Sequence, residues 1–258
     1  DHRDLHSFPT RRSSDLLDYD YLRQFGIDEV AHKKFLNDYF KGDFKNSPSR
    51  GETYNDAPEL GDARMCGTTA SLCGLESANK DMAIKLDLML HAFLFTQSGI
   101  PVLYSGDEIG QLNDYTYHDD PKKSEDSRYI HRGAFIWENA AKRNDMNTPE
   151  GKIFNGIKTL MGLRDTLSVF LNSADTWLIE TNNDHVLGIG RYYGEKTKKE
   201  KMLAFFNFSD ETQFISTSEN LGGIFKYHNM ITGEAFKNYG TGQIKLDGFG
   251  FLWLLAEL

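Results

Sequence analysis

The side chains with most chemistry to offer are a few acids and arginines set among aromatics. Asp107 and Glu108 stand side by side in YSGDEIG. Neighbours in sequence do not make a catalytic acid and base pair, and these two suit the rim of a pocket instead. A second acidic run, Asp119, Asp120, Glu125 and Asp126, has the oxygen ligands calcium takes but no calcium-binding loop, so it reads as a solvated face. His32, His91, His118 and His131 lack metal-ligand spacing and read as structural. Cys66 and Cys73, in a segment of small residues, read as free buried thiols. Arg64 and Arg128 carry planar forks that hold a carboxylate bidentately and stay charged. Trp177, Trp253 and Phe205, Phe206, Phe208 offer a carbohydrate platform, but their alternation within strands directs them to a core.

The elements that must position these groups follow from periodicity. Ile100–Tyr104, IPVLY, is an apolar run bounded by glycines, the form of a strand buried on both faces of a parallel sheet. Ser105–Gly110 then lies just past its carboxyl end, where ligand chemistry collects in α/β folds. Upstream, 81–99 reads as a buried helix with Asp81 as N-cap and Gly99 as stop, its uncharged stretch too short to span a membrane. Thr148-Pro149 opens another helix carrying Ile153, Phe154, Ile157, Leu160, Met161 and Leu163. Residues 17–61 read as a long irregular excursion with a short helix over 29–40, and a further helix can start at Thr68. After Phe170 the segments TWLIET, VLGIGRYY, KMLAFFNF, FKYHNMI and GFGFLWLL alternate between turn signals and predict a small antiparallel β-sandwich.

Composition narrows the partners. The net charge is -9, with 39% apolar and 13% aromatic residues, so the chain is globular, with one large domain or two smaller ones. An acidic balance without a basic cluster argues against nucleic acid and anionic membranes, and neutral sugars fit better. Residues 1–16, DHRDLHSFPTRRSSDL, are similar at every residue to a translated short-read sequencing adapter, so native sequence is expected from Leu17. Removing their three Arg and three Asp leaves the net charge unchanged. With the native amino terminus outside the sequence, the compartment, cytoplasmic or secreted, stays open, as does the oligomeric state.

GIPVLYSGDEIG (99–110) resembles the eighth barrel strand and following loop of the α-amylase superfamily, glycoside hydrolase family 13. Its pattern there is Gly-x-Pro-x-x-Tyr-x-Gly-Asp/Glu-Glu. Three further blocks, HKKFLNDYF (32–40), GDARMCGT (61–68) and LNDYTYHDDPKKSEDSRYIHR (112–132), are similar to amylosucrases and related sucrose hydrolases, and the resemblance covers essentially 17–258. It implies an α/β fold: the last part of a TIM (β/α)8 barrel followed by an all-β antiparallel sandwich. The expected divisions are an adapter-like 1–16, an inserted subdomain after barrel strand seven over 17–80, helix seven, strand eight and helix eight over 81–169, and the sandwich over 170–258.

The resemblance further implies a retaining enzyme that takes glucose from sucrose and passes it to an α-glucan, a maltooligosaccharide or water, with no cofactor. Such chemistry needs two carboxyl groups about 5 Å apart. By resemblance both, and a third Asp in a His-Asp-Asp motif, belong before Leu17; Asp15 has neither neighbour and is not that Asp. No catalytic residue is therefore assigned, and the chain itself is expected to be inactive. Arg128, rather than Arg132, matches the Arg whose ion pair with an upstream Asp closes the glucose pocket, and without that Asp it is expected to be unpaired; the plainer reading is a solvated surface Arg. Arg64 matches an acceptor-subsite Arg, with an ion pair to Asp62 or Glu59 as the plainer reading. Lys33 stands where amylosucrases have another acceptor-side Arg; a point charge without the fork geometry puts elongation in doubt relative to hydrolysis. Asp107 and Glu108 complete the expected substrate-side set. A sucrose hydrolase or other α-glucosidase, and a non-catalytic carbohydrate-binding accessory protein, remain alternatives.

Overall fold

A computed structural model describes residues 19–57, 62–216, 221, 226–236 and 242–257. The adapter-like stretch and Leu17 lie outside them. Two compact units form: one runs to Ile84 and resumes over Val102–Phe154, and the other joins Lys85–Pro101 to Asn155–Leu258.

In the first unit, α1 (Tyr19–Gln24) leads to α2 (Glu29–Lys41). Asp28 caps α2 by accepting from Ala31 N at 2.7 Å, and Gly42 at φ 88° closes it in the left-handed conformation that ends many helices. The expected irregular excursion holds more structure than its pattern suggested. Glu52–Ala57 (β1) and Asp62–Cys66 (β2) pair as an antiparallel hairpin, with Glu52 opposite Cys66 and Tyr54 opposite Arg64. Their polar sequences, ETYNDA and DARMC, carry too little apolar alternation to announce strands. α3 (Thr69–Leu72) follows, with Thr68 Oγ1 accepting from Ser71 N at 3.3 Å.

α4 (Lys80–Thr96) begins before Asp81. Asn79 acts as its cap, accepting from Met82 N at 3.3 Å, while Asp81 pairs with Lys152 at 2.9 Å. Met89, Ala92 and Phe95 are buried along it. Ile100–Tyr104 departs from expectation: no strand forms, and Ile100 and Val102 are 90% and 70% exposed. A strand's backbone bonds come from neighbours, and among the described residues none pairs with this segment. The turn beyond it does form. Gly106 (φ 101°) and Gly110 (φ 60°) bracket a single 3-10 turn, Asp107–Ile109, and a Cβ on Gly110 would drive into the Ile153 side chain. α5 (Trp137–Ala140) and α6 (Pro149–Thr166) follow, and α6 opens at Thr148-Pro149 as expected, with Thr148 Oγ1 accepting from Gly151 N at 3.1 Å.

The second unit carries the strands β3 (Asp175–Ile179), β4 (Val186–Gly194), β5 (Lys199–Asn207), β6 (Gln213–Ser216), β7 (Tyr227–Asn229), β8 (Ala235–Phe236), β9 (Gln243–Leu246) and β10 (Phe251–Ala256). Six form one antiparallel sheet in the order β3-β4-β5-β10-β7-β8, and β6 pairs with β9. Val186, Leu203, Phe205 and Leu254 from the large sheet meet Ile215, Ile244 and Leu246 from the small one in a shared core. Each such side chain contributes roughly 1.5–3 kcal/mol when fully buried, and this is the expected sandwich. Trp253, Phe205 and Phe206 are core; Trp177 and Phe208 stay partly exposed.

Two arginines close the carboxyl end of α4 within this unit. Arg191, fully buried, donates from Nη1 to Thr96 O (2.8 Å) and Ser98 Oγ (3.3 Å), from Nη2 to Leu171 O (3.2 Å) and from Nε to Val169 O. Arg164 donates to Gly99 O at 2.6 Å and Gln97 O at 3.1 Å. Orphan carbonyls and the negative end of the helix dipole attract cations there. Burial, and then the Arg164 charge, pulls the Arg191 pKa below its ordinary value.

Candidate functional site

Alternate residues of a strand share a face, so Glu52, Tyr54, Arg64 and Cys66 lie on one side of the β1–β2 hairpin. Cys66 packs there with Tyr117 and Ile130, flanked by Tyr54 and Tyr129. These partners come from two 3-10 turns, Tyr115–Asp119 and Ser127–His131. The loop that carries them is fastened at Asn113, which accepts from Thr68 N at 2.8 Å and whose own N donates to Ser71 Oγ at 2.9 Å. Glu52 accepts from the Tyr117 hydroxyl and meets His118 Nε2 at 2.9 Å. Cys66 and Cys73 are free and buried, as expected; desolvation pushes the Cys66 thiol up to about 11.

Arg128 and Arg64 converge on Tyr54. Their guanidinium carbons lie 4.4 and 5.9 Å from its ring centre, inside cation–π range. Arg128 was expected to be unpaired, and the structure corrects this. Asp126 caps the turn through Arg128 N at 3.1 Å and also takes the guanidinium in a fork, Nε to Oδ1 and Nη2 to Oδ2, both 2.8 Å. An Asp two residues before an Arg at a turn start brings fork and carboxylate face to face without any upstream acid. Hydrogen bonding from Arg128 holds the Asp126 carboxyl below the usual range, and the fork raises the Arg128 pKa. Arg64 Nε is buried without a hydrogen-bond partner among the described residues. Glu59 and the Asp62 side chain, its two expected partners, lie outside what is described.

The other expected residues are occupied locally. Lys33 pairs with Glu29 Oε1 at 3.0 Å one turn back on α2, and Glu29 Oε2 takes Arg23 at 2.7 Å. Asp107 Oδ2 accepts from Tyr104 N at 3.0 Å, and Glu108 Oε2 from Gly106 N at 2.8 Å, so both carboxylates brace the turn that contains them. Within the acidic run, Asp120 accepts from Lys122 N at 3.0 Å and pairs with Lys123 at 3.3 Å. Among the described residues no group of three or more His, Cys, Asp or Glu could hold a metal ion, and no helix there is long and apolar enough to cross a membrane.

His131 is a group whose environment the sequence did not disclose. It is 6% exposed, edge-on to the Tyr104 ring at 5.8 Å, with Nδ1 lacking a hydrogen-bond partner among the described residues. Desolvation, then the Arg132 charge, pushes its pKa down to about 4. The unfolded imidazole titrates near 6.5 and the folded one lower, so the unfolded chain binds the extra proton first. Stability is therefore fullest above about pH 6.5 and falls by about 2–3 kcal/mol as the pH drops to about 4. Urea unfolding across that range is expected to show the loss in the wild type and a flatter profile in His131→Phe; parallel profiles would contradict the assignment.

No family model matches the sequence. Among solved structures, the chain is similar to AmyP in complex with maltotriose, with a TM-score of 0.55 and 16% identity over 73% of this chain and 38% of that one. The α-amylase from Geobacillus thermoleovorans complexed with acarbose gives 0.51 and 19% over 73% of this chain and 36% of that one. An Anoxybacillus α-amylase gives 0.50 and 21% over 74% and 36%. The chain shares part of the fold of these structures. At these identities the likeness is one of fold, and it agrees with the last portion of a barrel followed by a sheet domain. The chain spans little more than a third of the length of these structures.

Proposed function

We propose that the chain is part of a retaining α-glucosyl enzyme of the amylosucrase type. On this reading a carboxylate displaces fructose from sucrose to form a glucosyl ester, and a glucan hydroxyl or water then breaks that ester. The observation that carries the reading is the meeting of Arg64 and Arg128 on Tyr54. Resemblance assigns them to acceptor subsites and to the base of the glucose pocket, and both lie against the Tyr54 ring, Arg64 from β2 and Arg128 from the Ser127–His131 turn. Similar folds hold maltotriose and acarbose, which suits a site for α-linked sugars. Asp107 and Glu108 serve the pocket rim by stiffening its turn. The inserted subdomain is 17–80, the end of the barrel 81–169 and the sandwich 170–258, and the catalytic carboxylates belong to sequence before Leu17.

A second reading, a sucrose hydrolase or other α-glucosidase, draws on Lys33, a point charge held by Glu29 in place of an acceptor-side fork. The 258-residue chain is expected to release no fructose from sucrose above a boiled control. The longer reading frame upstream of Leu17, carrying a His-Asp-Asp motif, is expected to release fructose and elongate maltooligosaccharides. Glucose release without elongation selects the hydrolase. Fructose from the shorter chain, or a start codon at Leu17, sinks the reading.

A further inference from the structure

Alternation places Gly188, Gly190, Tyr192 and Gly194 of β4 on one side of the large sheet, the side on which Leu203 and Phe205 of β5 enter the shared core. That core takes in Ile179 of β3 at its margin. Further along β3, Trp177 stays 39% exposed although it stands on the same side. Glycines of β4 seat the rings there. A Cβ on Gly190 would fall 2.1 Å from the Trp177 indole, and one on Gly194 would fall 2.7 Å from the Tyr192 ring. Trp177 pairs with Gly190 and Asp175 with Tyr192, so the two rings are diagonal neighbours with backbones about 7–8 Å apart. Tyr192 lies over Gly194, and β4 sets only Gly190 and Gly188 on the Trp177 side of it. The result is a shallow trough with a ring at each end. Tyr192 also walls an open hollow with Gly194, Glu195, Lys196, Thr197 and Lys199 at the β4–β5 turn. Aromatic faces bordered by donors and acceptors suit a pyranose, whose C–H face stacks on the negative face of a ring while its hydroxyls meet the polar rim.

We propose that Trp177 and Tyr192 form a binding site for an α-linked gluco-oligosaccharide, with successive glucose units on the two rings and the 195–199 turn meeting their hydroxyls. The choice of α-linked glucose rests on the function proposed above; the site itself rests on the two rings and belongs to the second unit, whereas Arg64 and Arg128 belong to the first. The test is titration of the 258-residue chain with maltotetraose, cellotetraose and glucose, following the Trp177 Nε1–H and the Gly190 and Gly194 backbone N–H by NMR. Maltotetraose is expected to shift all three with half-saturation at about 1–10 mM, and glucose, which covers one ring, to bind about three- to tenfold more weakly. Tyr192→Ala is expected to weaken maltotetraose about three- to tenfold and Trp177→Ala at least as much, read at the glycines, while Trp177→Phe, which keeps a ring, recovers part of the loss. If Trp177→Ala fails to fold, Tyr192→Ala carries the comparison. Equal affinity for cellotetraose overturns the α-linked assignment, and no shift at about 50 mM, far above any useful affinity, overturns the site. Maltotetraose shifts at the Arg128 Nε–H with Trp177 unmoved overturn this inference and leave the proposed function standing. A Trp177 response, together with a longer chain that releases no fructose from sucrose, supports the site and removes the sucrose reading.

Discussion

Arg191→Met is expected to lower the unfolding free energy by about 3–5 kcal/mol, because it strips a buried charge network while nearly preserving volume. The guanidinium is the partner of three backbone carbonyls, on Thr96, Val169 and Leu171. Each carbonyl left dry and unpaired costs about 1–3 kcal/mol, which a flexible thioether offsets only in part. Arg191→Lys is expected to recover a fraction of the loss, since one ammonium cannot reach acceptors that a fork spans. Denaturant unfolding of the three proteins checks this. A methionine variant within about 1 kcal/mol of wild type, the level of an ordinary surface change, would mean that the network contributes little.

Asn207→Asp should cost a similar amount, about 3–5 kcal/mol at neutral pH. Asn207 is fully buried at the end of β5. Its Nδ2 donates to Glu211 O at 2.7 Å and Asp247 O at 2.9 Å, while Oδ1 accepts from Ser209 N at 2.9 Å and Ser209 Oγ at 2.8 Å. The side chain thus ties the loop after β5 to the loop before β10. An isosteric carboxylate would keep the accepting side and set negative charge against two carbonyl oxygens. Such an acid titrates above its unfolded value, so its penalty is absent below about pH 4 and grows as the pH rises. Measured against wild type at each pH, the destabilisation should narrow on acidification; a constant gap would rule out buried ionisation as its source.

The sandwich was legible because its long strands alternate cleanly, as VLGIGRYY and KMLAFFNF do. β6 and β9 were not, since QFIS and QIKL are short and half polar, yet they place Ile215, Ile244 and Leu246 in the core. The sequence named the two arginines that meet on Tyr54 and did not name their partners. Tyr54 emerges only once the hairpin register sets it opposite Arg64, and the Asp126–Arg128 fork depends on turn geometry that residue types alone do not specify. The strand expected at Ile100–Tyr104 failed for a different reason. Apolarity marks a segment that neighbours can bury, but pairing is a property of those neighbours, and the described residues offer none.

That unpaired segment also bears on how the protein behaves in concentrated solution. Ile100, Val102 and Tyr104 are the kind of β-prone, uncharged stretch that recruits copies of itself into growing assemblies. Pro101 sits between the two exposed aliphatics, and its ring removes the N–H that a stacking chain would grip. A proline at that place works against such stacking.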